Sequence, residues 1–265
     1  GEMSDVILRA FYDKLVYLRN LQSRKDDVQR IIDEQGKLTD EILKNIKLAK
    51  TLQEVEDIYA PYKQKKRTRA TIAKERGLEQ LALDILNKNI SNIDEEASKY
   101  INPEKEVNSV EDAINGAKDI IAEQISDNSK IRKTIRKMLN NYGTVVSVAS
   151  DKDKDSVYRS YYEYSEPVKK IADHRLLAIN RGEKDGFLKV SIQCDDEKFI
   201  EYINNETINY KNDLCSDIIK EAGADAYQRL IFPSIEREIR SALTENACEN
   251  SMKVFAINLK QLLMQ

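Results

Sequence analysis

Glycine and proline are scarce in this chain, eight and four among 265 residues. A protein built from many short strands and tight turns needs more of both, so that class is set aside and long helices are expected. Cysteine is scarcer still. Cys194, Cys215 and Cys248 are odd in number, far apart and outside any Cys-x-x-Cys pattern. That excludes a disulfide framework and a zinc site of ordinary spacing, and leaves reduced cytosolic thiols as the reading. No apolar run approaches the length of a membrane span, and the N-terminus lacks the charged-then-apolar layout of a signal peptide. A soluble, cytoplasmic protein with no membrane partner is expected.

Charge is what the chain has in quantity: 34% of its residues, with a net charge of only −3. Such a balance argues against coating nucleic acid with the whole surface, yet it allows basic patches offset by acidic faces. Two hundred and sixty-five residues suffice for a large core, in one domain or two.

Helical periodicity accounts for most of the apolar residues. Leu8, Phe11, Leu15 and Leu18, resumed by Val28, Ile31 and Ile32, predict one long helix ending near Gly36. Thr39 caps the next, and Thr51 with Glu54 has the spacing of a capping box for a third, which Pro61 ends. A helix follows from Thr71 to Arg76 with Gly77 as its C-cap, then another through Leu78, Leu81, Ile85 and Leu86. Residues 87–108 read as a polar connection holding at most a short helix. Ser109 opens a helix whose apolar face, Val110, Ala113, Ile114, Ala117 and Ile121, is narrow and built partly of small residues, as close packing against a neighbour requires; Ser129 caps the next. Thr144–Ala149 and Phe187–Gln193 are short and β-branched, which suggests a small two-stranded or extended element. From Asp195 onward the chain reads helical, with Pro233 in a first turn. The fold class expected is therefore mainly α, an elongated multi-helix scaffold with a small β-hairpin or extended insert around 144–193. Its divisions are 1–141, helical; 142–195, mixed; and 196–265, helical. Both ends look cut, as in a fragment.

One segment stands apart. Between Tyr59 and Leu78 seven cations, Lys63, Lys65, Lys66, Arg67, Arg69, Lys74 and Arg76, face a single carboxylate, Glu75. These side chains suit phosphates, and Tyr59 and Tyr62 beside them are of the type that stacks on bases. The alternative is a solvated loop whose charges pair with Glu54, Glu56, Asp57 and Glu75. A second basic group, Lys130, Arg132, Lys133, Arg136 and Lys137, fans over the helix face opposite Ile131, Ile135 and Met138. It is either a further nucleic-acid surface or an exposed face paired with acidic helices nearby. Tyr158, Tyr161, Tyr162 and Tyr164 read as packing under a loop before they read as base platforms. His174 is the only histidine, with no nucleophile or orienting carboxylate set beside it by any motif, so it is assigned to capping or packing at a helix start. Arg181–Gly186 has neither a Walker pattern nor Gly-x-Gly-x-x-Gly and reads as a helix-to-strand turn. No catalytic, metal or cofactor site is indicated.

Four stretches resemble a known family. They are Tyr17-Leu18-Arg19-Asn20-Leu21 with Glu34-Gln35-Gly36-Lys37-Leu38-Thr39; Glu56 to Lys63 running on to Lys66-Arg67-Thr68-Arg69-Ala70-Thr71-Ile72-Ala73; His174 to Glu183; and Pro233 to Arg240. Together they make the chain similar to the N-terminal helical portion of the Tex family of bacterial transcription accessory proteins. Gln64 stands where family members often carry proline, and Asp173 where serine is usual. The resemblance implies a fragment that starts after a helix-turn-helix-like portion and stops before an RNase H-like domain, helix-hairpin-helix modules and an S1-type OB-fold. It places the principal nucleic-acid-binding module in those absent parts. The implied function is a non-enzymatic scaffold segment of a transcription accessory factor that binds RNA or DNA in its full-length form, with an auxiliary basic surface here. The alternative is a scaffold that docks other Tex domains or the transcription machinery without touching nucleic acid. No small-molecule substrate is implied.

Overall fold

The computed structural model describes residues 2–63, 67–87, 90–208 and 214–264. It is mainly helical: α1 (Glu2–Glu34), α2 (Asp40–Leu48), α3 (Leu52–Tyr59), α4 (Arg69–Glu75), α5 (Glu79–Asn87), α6 (Ile93–Ser98), α7 (Val110–Asp127), α8 (Ser129–Tyr142), α9 (Asp173–Lys184), α10 (Asp196–Thr207), α11 (Leu214–Asp225) and α12 (Phe232–Leu263). Three strands, β1 (Thr144–Ala149), β2 (Glu163–Pro167) and β3 (Leu188–Gln193), form an antiparallel sheet in the order β2-β1-β3. The small β insert is thus present around 144–193, with a third strand, β2, added to the two expected ones. Its central strand pairs Val146 with Ser165 on one side and Ser191 on the other.

The helix ends follow local chemistry. Thr39 and Thr51 accept hydrogen bonds from the N–H groups of Ile42 and Glu54, both at 3.2 Å. The reciprocal arm of the expected capping box is shifted by one residue: Glu54 accepts from the Lys50 N–H, one position before the cap. Thr68, not Thr71, marks the start of α4, because its hydroxyl accepts from the Thr71 N–H at 3.0 Å. Asn128 displaces Ser129 as the cap of α8, since its side-chain oxygen reaches both the Lys130 and Ile131 N–H groups. Gly77 closes α4 at φ +83°, a conformation strained for any residue with a Cβ.

Between α11 and α12 the chain never leaves helical conformation. Residues Ala226–Ile231 form a π-helical turn that leads directly into Phe232 and Pro233. A proline cannot donate and crowds the carbonyl one turn back, so a widened turn ahead of it is a natural accommodation.

Two separate apolar clusters dominate the packing. The larger joins Leu78, Leu81 and Ile85 to Ile120, Ile121, Ile131, Ile135 and Leu139, and onward to Phe199, Ile219, Tyr227 and Ile235. The smaller unites Leu21, Val28 and Ile32 of α1 with Ile46, Val55 and Tyr59. Each fully buried Ile or Leu contributes about 1.5–3 kcal/mol relative to exposure. The small residues of α7 do allow close approach: Ala113 and Ala117 are buried with Ala70 and Ala73 of α4, and a Cβ on Gly116 would collide with the Leu78 side chain. A third, minor cluster, Leu176, Leu177, Ala247 and Cys248, joins α9 to α12.

Candidate nucleic-acid interface

The basic segment begins where Pro61 ends α3 in a single 3-10 turn, Ala60–Tyr62. Lys63 is exposed; Lys65 and Lys66, with Gln64, lie outside the described residues. Thr68 then ties the segment to α7, its hydroxyl donating to Glu123 at 2.7 Å while it caps α4. Four further cations follow. Arg67 is exposed but pairs with Glu75 at 2.7 Å. Arg76 pairs at 2.7 Å with Glu106, which a turn closed by the Asn102–Val107 bridge presents in the left-handed region at φ +61°. Lys74 and Arg69 are exposed and have no carboxylate within ion-pair distance among the described residues. Arg69 lines two small clefts between α4, α7 and α11, with Asn115 and Asp119. Burial pushes the Asp119 carboxyl above its usual range, and the Arg229 and Arg69 guanidiniums pull it back. Of the two tyrosines read as base platforms, Tyr59 is 9% exposed and belongs to the smaller core, so its ring is not free to stack, whereas Tyr62 packs against that core and stays partly exposed.

The second basic group divides. Lys130 reaches Glu206 at 2.6 Å. Arg132 donates to Glu238 at 3.1 Å and to the Ser234 hydroxyl at 2.8 Å, and Arg136 donates to the other oxygen of Glu238 at 2.9 Å. These two arginines therefore fasten α8 to α12. Lys133 and Lys137 remain exposed, with no carboxylate partner among the described residues.

The tyrosine-rich stretch is packed. Tyr162 is buried and bonds the Ser156 hydroxyl at 2.9 Å, Tyr158 donates to Asp185 at 2.6 Å with its ring against Phe187, and Tyr161 meets Tyr164 edge-on at 5.3 Å. Residues Arg181–Gly186 end α9 and turn into β3, with Gly186 at φ +79°. His174 corrects its assignment: it stands exposed in the first turn of α9 and neither caps nor packs, Ala172 being the cap position. Asp173 does not cap either; its carboxylate accepts from Asn250 at 2.9 Å. Among the described residues no group of three or more His, Cys, Asp or Glu side chains is placed to hold a metal, and no helix is long and apolar enough to cross a membrane.

One junction was not singled out from the sequence, although three of the resemblance stretches meet there. Asp13 and Tyr17 on α1, Asn180, Arg181 and Glu183 on α9, and Arg240 and Thr244 on α12 surround two adjoining clefts of about 320 and 360 Å³. Arg181 donates to Asp13 at 2.6 Å, Asn180 to Thr244 at 2.9 Å, and Arg240 to Glu183. The signal available was the coincidence of charged and amide residues in the quoted motifs; their pairing is tertiary and has no trace in local spacing.

A family model described as Tex central region-like matches residues 89–255. Over its whole length the chain is 45% identical to the protein YdcI of Bacillus subtilis (strain 168), 34% identical to Protein tex of Bordetella pertussis and 33% identical to the Transcriptional accessory protein Tex of Neisseria gonorrhoeae. It spans 37%, 35% and 36% of those proteins, little more than a third of each.

Proposed function

Because the chain belongs to the Tex central region-like family, we propose that it is a non-enzymatic, cytoplasmic scaffold segment of a transcription accessory protein that carries an auxiliary phosphate-binding surface. The observation behind this reading is the set of exposed cations without an ion-pair partner among the described residues: Lys63 after α3, Arg69 and Lys74 on α4, and Lys133 and Lys137 on α8. Cations left in water beside a helical framework are available to phosphates, and phosphate contact needs no shaped cavity. The whole protein's partners, RNA or DNA and the transcription machinery, are part of the same proposal. The name of the Neisseria relative, a transcriptional accessory protein, supports the transcription part of it.

The test is ionic strength. If Lys63, Arg69 and Lys74 each neutralise a phosphate, the logarithm of the association constant should fall with the logarithm of salt concentration at a slope of roughly −3. Reversing all three to glutamate should abolish the salt-dependent part; reversing Lys133 and Lys137 tests the second face separately. Affinity that survives the reversals unchanged would sink the proposal.

A specific observation favours the runner-up, a protein-docking scaffold with no nucleic-acid contact. Arg67, Arg76, Lys130, Arg132 and Arg136 are already paired with Glu75, Glu106, Glu206 and Glu238. No salt-dependent binding in the same titration is the outcome expected from that alternative.

A further inference from the structure

The apolar residues of α1 do not form a single stripe. Leu21, Val28 and Ile32 are buried in the smaller core. Asp13 and Arg24 lie on that same side of the helix, where they reach Arg181 of α9 and Glu56 of α3, each at 2.6 Å. At about 100° per residue, Leu8, Phe11, Leu15 and Leu18 fall roughly 130° round from it. They face away from the smaller core. Leu8 is 69% exposed, Leu18 46% and Phe11 45%, although the Phe11 ring meets Phe255 of α12 at 6.2 Å between centroids. Their spacing of 3, 4 and 3 residues is that of the a and d positions in two heptads, the seam that a partner helix fills.

A cation borders this seam on each side. Lys14 precedes Leu15 and Arg19 follows Leu18, at the g and e positions of the repeat. The Lys14 Nζ lies 5.2 Å from the Tyr17 ring centroid and Arg19 is exposed; neither has an ion-pair partner among the described residues. Between Val6 and Lys25 the sequence holds one carboxylate, Asp13, and Arg181 occupies it. A second copy would set cations against cations at both borders, which disfavours self-pairing.

We infer that the outward seam of α1 docks an amphipathic helix of a partner protein whose apolar face is edged by glutamate or aspartate. Apolar side chains of that helix would fill the spaces between Leu8, Phe11, Leu15 and Leu18, and its carboxylates would pair with Lys14 and Arg19. The inference goes beyond the phosphate-binding proposal and uses none of its cations.

Two labelled synthetic peptides of about 21 residues test it, both with leucine at a and d, one with glutamate and the other with lysine at every e and g position. In fluorescence anisotropy on the 265-residue protein, the glutamate peptide should bind at least about tenfold tighter. Leu8→Ser with Leu18→Ser should weaken it about tenfold or more, and Lys14→Glu with Arg19→Glu should reverse the preference. Charge reversal at Lys63, Arg69 and Lys74 should leave peptide affinity unchanged, so failure here and failure of the phosphate-binding proposal are separate results. Equal affinities, preference of the unaltered protein for the lysine peptide, or no binding of either below about 0.5 mM would overturn the inference. So would a dimer in sedimentation equilibrium that Leu8→Ser with Leu18→Ser dissolves, which assigns the seam to a second copy. Binding to phosphatidylglycerol vesicles that the same variant loses, without binding of the glutamate peptide, would overturn it in favour of a membrane surface. The peptide comparison uses the unaltered protein, so it stands even if a variant proves unstable.

Discussion

Asp13 shows how a single residue can be paired and still unfavourably placed. Its carboxylate meets Arg181 at 2.6 Å, yet burial comes first and keeps its pKa above the usual carboxylate value, with the attraction of Arg181 second. A raised folded pKa means that the contribution to stability is largest below the unfolded value of about 3.8 and is lost as pH rises through the folded one. At neutral pH the charge is tolerated because Arg181 is there. Arg181→Ala should therefore cost about 3 kcal/mol, because it strands a carboxylate whose side chain is only 14% exposed. Asp13→Asn should cost less than about 1 kcal/mol, since Arg181 at 29% exposure retains water. Urea melts of both variants check this, and equal losses would contradict it. Cys194 offers a chemical reading of burial. Its thiol is pushed up to about 11, chiefly by desolvation, and it lies near the Tyr227 hydroxyl at 3.3 Å. At about pH 8 roughly one molecule in a thousand carries the thiolate there. Iodoacetamide should thus label Cys194 in urea and scarcely at all in the native protein, as peptide mass spectrometry would report; rapid native labelling would show the site to be open.

Among elements, the α8–α12 fastening is the clearest case of a basic face put to structural use. Glu238 receives both Arg132 and Arg136, so Glu238→Ala removes the acceptor for two guanidiniums and should destabilise by about 1–3 kcal/mol in thermal or urea melts. Lys133→Ala, on the same helix and free of carboxylates among the described residues, should stay within about 0.5 kcal/mol. The helices themselves were legible in the sequence because their signals are local: the threonine caps at 39 and 51, the apolar spacing of Ile131, Ile135 and Leu139, the glycine after α4. β2 was not legible. Glu163-Tyr-Ser-Glu-Pro has neither a β-branched residue nor a continuous apolar face, and it is a strand because β1 supplies its partners. The burial of Tyr59 did leave a trace, four residues after buried Val55 and so on the same helix face, but the adjacent cations drew attention to its chemistry instead of its position. Glu206 and Glu238 as partners for α8 lie dozens of residues away, and only the tertiary fold brings them near.

At the scale of the whole molecule, the basic segment runs between two cores of unequal size. The smaller, Leu21, Val28, Ile32, Ile46, Ala49, Val55 and Tyr59, is built from α1, α2, α3 and the residue that follows α2, while the larger draws on α4 to α8, α10 to α12, β1 and β3. Fewer buried side chains mean a lower free energy of local opening, because less apolar surface is lost to water when the unit comes apart. Amide hydrogens of α2 and α3 should accordingly exchange well before those of α7 and α11, although all four helices are complete. The far half of α1 should be intermediate, since it packs on α12 through Phe11 and Phe255, whose rings lie 6.2 Å apart, and through the Asp13–Arg181 pair to α9. Arg181→Ala should then speed exchange in α1 while leaving α7 unchanged, which separates a junction effect from global destabilisation. If α2 and α3 exchange together with α7 and α11 in a single cooperative step, the two cores behave as one folding unit.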